Sequence, residues 1–230
     1  MAAARPVAVV TGASRGIGRA IAQRLGATHD IVAVARHQQE LAELAREIDR
    51  GGGVCTPLPL DVTDASAVAA ALGGRRADVL VNNAGVGILK PMLELTADEW
   101  RRMVDVNFNA LFHVTRALLP GMIERGAGHV INIGSIAGRS AFTGGSCYAA
   151  TKHAVMAFSE CLMLEVRDQG VKVSVVNPGS VATHFSERSD PSWMLSGDDV
   201  AEAVVHVVAT PPSVLVHRVE VRALSPKRKH

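Results

Sequence analysis

The sequence is poor in aromatics, with five Phe, two Trp and a single Tyr among 230 residues. A buried core must therefore be built from Ala, Val, Leu and Ile. Cysteine is also scarce. Cys55, Cys147 and Cys161 make an odd count without metal-ligand spacing, so no disulfide framework is expected, and a reducing cytoplasm is the expected compartment. Excess charge is missing too. The net charge of +2 is too small to point to nucleic acid, and only Lys227, Arg228 and Lys229 form a basic run, in a tail that solvation explains. No apolar run reaches the roughly 18 residues that span a bilayer. Residues 1–11 lack the long apolar stretch and cleavage site of a signal peptide. The nine histidines show no H-E-x-x-H or paired spacing, so no catalytic metal is expected. What is abundant is apolar residue. The chain is 48% hydrophobic, with a mean hydropathy of +0.19, a composition that supports a large core rather than disorder.

Short Val- and Ile-rich runs alternate with stretches of helical period. Residues 7–10, 31–35, 54–60, 79–81, 130–134, 171–177 and 214–221 read as strands. Residues 16–25, 38–50, 64–72, 96–102, 107–125, 148–167 and 198–209 read as helices, with room for a bend between 102 and 107. Pro57 and Pro59 weaken the third strand. Thr96 and Glu99 have capping-box spacing, and Asp198 and Asp199 suit a helix N-terminus. This alternation predicts an α/β fold: a single Rossmann-type, doubly wound parallel sheet of about seven strands, with right-handed crossovers and helices on both faces. No repeat or linker interrupts it. Residues 1–230 therefore read as one dinucleotide-binding and catalytic domain, with a basic tail at 223–230. In such sheets ligands bind beyond the carboxyl ends of the strands, at the switch point.

The chemistry-bearing residues fall at those ends. Thr11-Gly12-Ala13-Ser14-Arg15-Gly16-Ile17-Gly18 follows the first strand and opens the first helix. Glycines there let the backbone approach a pyrophosphate, and the helix start offers free N–H groups and partial positive charge. The second strand ends at Ala35, where an acidic residue would accept the 2′-hydroxyl of NAD. Arg36 and His37 follow instead, and Arg15 can reach the same corner. Two guanidinium groups suit a 2′-phosphate, so NADP(H) is expected over NAD, although both arginines could be ordinary surface residues. Further on, Tyr148 and Lys152 are four residues apart, which places them on one helix face. Tyrosine's ordinary pKa is about 10. An ammonium at ~4 Å, in an effective dielectric near 20, attracts a phenolate by on the order of 4 kcal/mol, enough to bring the phenol towards a working pH. An exposed helical pair would have the same spacing, but Tyr148 is the only tyrosine, and Ser135 lies thirteen residues upstream at the end of the fifth strand.

From residue 6 to about 222, the chain resembles the short-chain dehydrogenase/reductase family. The matching motifs are T-G-x-x-x-G-x-G at Thr11 to Gly18, N-N-A-G at Asn82-Asn83-Ala84-Gly85, Y-x-x-x-K at Tyr148 to Lys152 and P-G-x-V-x-T at Pro178 to Thr183. The resemblance implies a catalytic tetrad of Asn107, Ser135, Tyr148 and Lys152. Ser135 would bond the substrate oxygen and Tyr148 would pass it a proton. Lys152 would lower the tyrosine pKa and bond the nicotinamide ribose, and Asn107 would hold a water linking Lys152 to solvent. It also implies cofactor contacts from Gly12, Ser14, Arg15, Gly16, Ile17, Gly18 and Arg36 at the phosphates. Asp61 and Val62 would lie at the adenine, and Asn83, Ala84 and Gly85 beside the cofactor. Pro178, Gly179, Val181 and Thr183 would lie at the carboxamide. Asp61 could instead cap a helix, a role open also to Thr63 and Asp64.

These readings predict an NADP(H)-dependent oxidoreductase that interconverts a carbonyl and an alcohol on a small molecule, with no nucleic-acid or membrane partner. Two alternatives share the fold: an isomerase or epimerase that retains NADP, and a non-catalytic NADP sensor. The first usually carries a larger C-terminal substrate domain, and the second a broken tetrad. The ending, Val214 to Pro226, departs from the Gly-rich close of the 3-oxoacyl carrier-protein reductases. It is more similar to members that oxidise serine or 3-hydroxy acids and to clavulanic acid dehydrogenase. Residues 183–196, with Trp193 and Met194, read as a short lid. The helices at about 98–125 and 148–167 are expected to pair across subunits, as in many members, giving a homodimer or homotetramer.

Overall fold

The computed structural model describes residues 4–182 and 192–225. Its strands are β1 (Val7–Thr11), β2 (Asp30–Ala35), β3 (Val54–Pro59), β4 (Val79–Asn82), β5 (Gly128–Ile133), β6 (Val171–Pro178) and β7 (Arg218–Val221). They form one sheet in the order β3-β2-β1-β4-β5-β6-β7, parallel throughout. The helices are α1 (Gly16–Leu25), α2 (Gln38–Arg50), α3 (Ala65–Leu72), α4 (Ala97–Val104), α5 (Ala110–Glu124), α6 (Ser146–Val166) and α7 (Gly197–Val208). The chain winds one way from β1 to β3 and the other from β4 to β7. The crevice therefore opens between the carboxyl ends of β1 and β4.

Both sheet faces are covered, which explains the unbroken apolar strands. On one face, Ile21 and Leu25 of α1, Leu41, Leu44 and Ile48 of α2, and Val200 and Val204 of α7 pack against the sheet. On the other, Val68 and Leu72 of α3, Val114, Leu118 and Met122 of α5, and Leu162 and Val166 of α6 do so. Local chemistry sets the helix starts. Asp64 accepts from the Ser66 and Ala67 N–H groups to cap α3. Thr96 with Glu99 caps α4, and Ser196 with Asp199 caps α7. The Thr96 box follows the expectation from sequence.

Three local readings need adjustment. Pro57 and Pro59 do not break β3, because it is an edge strand and their missing N–H groups withhold no interior ladder bond. The bend before α5 is a π-helical turn at Asp105–Asn109. The last strand is shorter than the expected 214–221 and begins at Arg218. Ahead of it, a neighbouring side chain takes up a carbonyl that a ladder would use. Ser174 Oγ takes the Val216 carbonyl, and just upstream Lys172 Nζ holds the Thr210 and Pro211 carbonyls of the approaching chain.

Candidate active site

At the end of β1 the chain turns through Gly12 and Gly16, both with positive φ (65° and 56°), where a side chain would be strained. Gly18 is needed for a different reason: a Cβ there would collide with the Gly12 carbonyl and the Asn83 amide. Asn83 clamps the loop from β4, its Nδ2 donating to the carbonyls of Thr11 (2.9 Å) and Gly12 (3.3 Å). Thr11 Oγ1 answers by accepting from the N–H groups of Asn83 (3.0 Å) and Ala84 (3.1 Å). The start of α1 has no side-chain cap, so its first N–H groups stay open to an anion. Ser14 is buried and Ile17 half-buried at this turn.

Arg15 and Arg36 are exposed beside the loop and the end of β2, and neither forms an ion pair among the described residues. One guanidinium at the capless start of α1 and another at the end of β2 suit a polyphosphate with an additional phosphate. Asp61 is exposed next to buried Val62. Its Oδ1 accepts from the Thr63 N–H (3.0 Å) and hydroxyl (2.7 Å). These bonds, with the nearby Arg36 charge, lower its pKa. Asp64, not Asp61, caps α3, which leaves the second Asp61 oxygen outside the turn it braces.

The four tetrad positions come together from three segments: the π-helical turn, the end of β5 and α6. Ser135 follows β5, with its backbone extended and its Oγ accepting from the Ala137 N–H (3.1 Å). Its side chain is hydrogen-bonded to Tyr148, one turn into α6. Lys152 is buried, 6% exposed, and its Nζ donates to the Ile133 carbonyl at 2.9 Å. That nitrogen lies 5.9 Å from the centre of the Tyr148 ring. Asn107 sits in the π-helical turn. Its Oδ1 accepts from the Val86 N–H (2.7 Å), while Nδ2 donates to the Val86 carbonyl (2.9 Å) and to Thr151 Oγ1 (3.1 Å). A Cβ on Gly85 would lie 3.4 Å from Asn107 Oδ1 and 4.0 Å from Lys152 Nζ, so the N-N-A-G turn closes over both.

The electrostatics differ from the expectation in one respect. Burial raises the Tyr148 pKa, partly offset by the Ser135 hydrogen bond, and lowers that of Lys152 to about 8. Desolvation of each group outweighs their mutual attraction, because neither charged form is well solvated here. The phenol therefore keeps its proton at neutral pH. Cys147 beside it is buried, and burial raises its thiol's pKa, which disfavours the nucleophilic thiolate.

At the end of β6, Pro178 is buried, and the Gly179 N–H donates to the Val221 carbonyl (2.8 Å), turning the chain over the end of the sheet. Val181 forms a bridge with Leu195. Thr183 and most of the expected lid lie outside the described residues. Three further groups organise the site: Thr11, Asn177 and Thr151. The Asn177 Oδ1 accepts from the Ser135 N–H (3.2 Å), and Thr151 joins Asn107 to the Tyr148 carbonyl (2.8 Å). Thr11 and Asn177 stand inside or beside the quoted motifs, but only their partners across the sheet reveal their work.

Comparison with known proteins agrees with this geometry. The chain matches the short chain dehydrogenase family model over residues 6–192. It is 36% identical over 234 residues to the NADP-dependent 3-hydroxy acid dehydrogenase YdfG of Salmonella typhi, covering 93% of each chain. Among solved structures, it resembles a metagenomic short-chain oxidoreductase in complex with NADP. The TM-score is 0.85 and the identity 35%, covering 97% of this chain and 99% of that one. It also resembles the closed form of a serine dehydrogenase complexed with NADP+. There the TM-score is 0.87 and the identity 33%, with the same coverage. The chain belongs to the short-chain dehydrogenase family.

Proposed function

We propose that this short-chain dehydrogenase is an NADP(H)-dependent oxidoreductase that interconverts a carbonyl and an alcohol on a small molecule, with Tyr148 as the proton-transfer group. The observation that carries this reading is the Ser135–Tyr148 hydrogen bond, set above the buried Lys152 at the mouth of the dinucleotide crevice. NADP(H), when bound, supplies or accepts the hydride. Ser135 holds the substrate oxygen, and Tyr148, protonated at neutral pH, donates to it as the carbonyl is reduced. Lys152 is the cation beside the phenol and, with Asn107, part of the polar path behind it. The phosphate loop, Arg15 and Arg36 hold the cofactor phosphates. Asp61 and Val62 border the adenine, and Asn83, Ala84, Gly85, Pro178, Gly179, Val181 and Thr183 border the nicotinamide half.

The described helices hold none long and apolar enough to cross a membrane. We place the protein in the cytoplasm, as one domain over residues 1–230, assembled as a homodimer or homotetramer. The relatives named for serine and 3-hydroxy acids make short hydroxy acids the first substrates to test, followed by ketones and aldehydes with NADPH absorbance as readout. An intact tetrad weighs against a sensor.

Tyr148→Phe should lower turnover by at least ~10²-fold while NADPH binding persists; unchanged turnover would rule out the mechanism. Arg36→Asp should weaken NADPH binding by roughly 10- to 100-fold, the worth of a charged hydrogen bond, and leave NADH binding intact. Equal losses for both dinucleotides, read by fluorescence titration, would remove Arg36 from the phosphate grip.

A further inference from the structure

Ser135 lies just past the end of its strand, where the sheet no longer supplies a partner for its backbone. The last ladder bond between β5 and β6 at this end runs from the Gly134 N–H to the Val176 carbonyl, at 2.8 Å. One residue further on, the Ser135 N–H donates to a side chain, Asn177 Oδ1, at 3.2 Å. Asn177 is 0% exposed. Its orientation is settled by chemistry, since an N–H can only donate and the amide oxygen must face it. Room for that oxygen comes from Gly134, where a Cβ would collide with Asn177 Oδ1. The other end of the amide is left at a disadvantage: Nδ2 is buried and meets no acceptor among the described residues. An orphaned buried donor works against folding, so the side chain is poorly suited to stability alone.

We infer that Asn177 is a positioning residue for the reaction, acting through Ser135. It ties the serine's backbone to the last residue before the Pro178-Gly179 turn. The Ser135 Oγ, already braced by the Ala137 N–H and bonded to Tyr148, is thereby held in register with the loop that borders the nicotinamide half of the crevice. Releasing the tie lets Ser135 shift against Tyr148 without removing any group that touches substrate. The inference rests on the proposed role of Ser135.

A double-mutant cycle between the two residues tests it, using the substrate turned over fastest among the hydroxy acids, ketones and aldehydes. Asn177→Leu keeps the branched outline, with somewhat more bulk, and withdraws the acceptor. It should lower kcat/KM by roughly 10- to 100-fold, the scale of a displaced reacting group, mainly through kcat and with NADPH binding unchanged. In a Ser135→Ala background the same substitution should lower kcat/KM no further, because two residues acting as one unit are not additive. Asn177→Asp, which keeps an oxygen opposite the Ser135 N–H, should recover most of the rate. If Asn177→Leu does not fold, Asn177→Thr, smaller and strand-compatible, takes its place in the cycle. Losses that multiply in the double variant, or full activity in Asn177→Leu, would overturn the inference. Full activity in Ser135→Ala would instead sink the reading of the site on which it rests.

Discussion

Lys152 shows what a functional group costs the protein that carries it. Burial lowers its pKa from 10.5 to about 8, so between those values the unfolded chain binds a proton that the native state does not. Stability therefore rises as pH climbs through that window. Below about 8 the native state carries the whole penalty, roughly 3 kcal/mol. Lys152→Met should remove that cost, less the hydrogen bond to the Ile133 carbonyl. A net gain of about 1–2 kcal/mol near neutral pH is expected, together with loss of turnover. Thermal melts and NADPH assays on the same sample check this, and a less stable Lys152→Met would show that the amine is structural. At this scale the sequence was most legible where two residues share one helix face, as Tyr148 and Lys152 do. It was least legible where the partner is backbone from a distant segment. Asn107 reads as a helix start, yet its amide is engaged by Val86, 21 residues away.

Elements were legible wherever period and caps agree. The α2 helix buries Leu41, Leu44, Ala45 and Ile48 on one face, and its range was readable because apolar side chains spaced three and four apart line up on a helix and scatter over both faces of a strand. The π-helical turn ahead of α5 was visible only as a bend, since nothing in the pattern fixes which hydrogen bond is skipped. Such turns recur at functional sites, and this one aims Asn107 at the N-N-A-G loop. The long helices α5 and α6 carry the assembly prediction. Phe112 on α5 is 43% exposed and Leu164 on α6 is 54% exposed, apolar surface of the kind that association buries. Light scattering at micromolar concentration should give a dimer or tetramer mass, and a monomer would refute the pairing.

For the molecule as a whole, the sheet buries a titratable histidine away from the carboxyl ends of its strands. His129, on β5, bonds Ser174 Oγ at 2.8 Å, and Ser174 in turn holds the Val216 carbonyl ahead of β7. Burial, helped by the Lys172 charge, lowers the His129 pKa from 6.5 to about 4. Between these values the unfolded state takes up a proton that the folded state refuses. Stability is thus full above 6.5 and declines as pH falls towards about 4, by roughly 3 kcal/mol in all. Urea melts across that range should show the decline, and His129→Gln should flatten it. An unchanged slope in the variant would place the acid sensitivity elsewhere.

The sequence alone determined the strand and helix order, the glycine turn after β1 and the spacing of Tyr148 and Lys152, because each depends on residues close together along the chain. Only the tertiary structure decided that β3 is an edge able to hold two prolines. It alone decided that Thr11 and Asn83 lock the loop across the sheet, and that Asn177 supports Ser135. These depend on which strands become neighbours. The same packing decided the protonation of the site. Spacing describes the attraction between an ammonium and a phenol, but burial sets the cost of charging either one, and here the cost is larger.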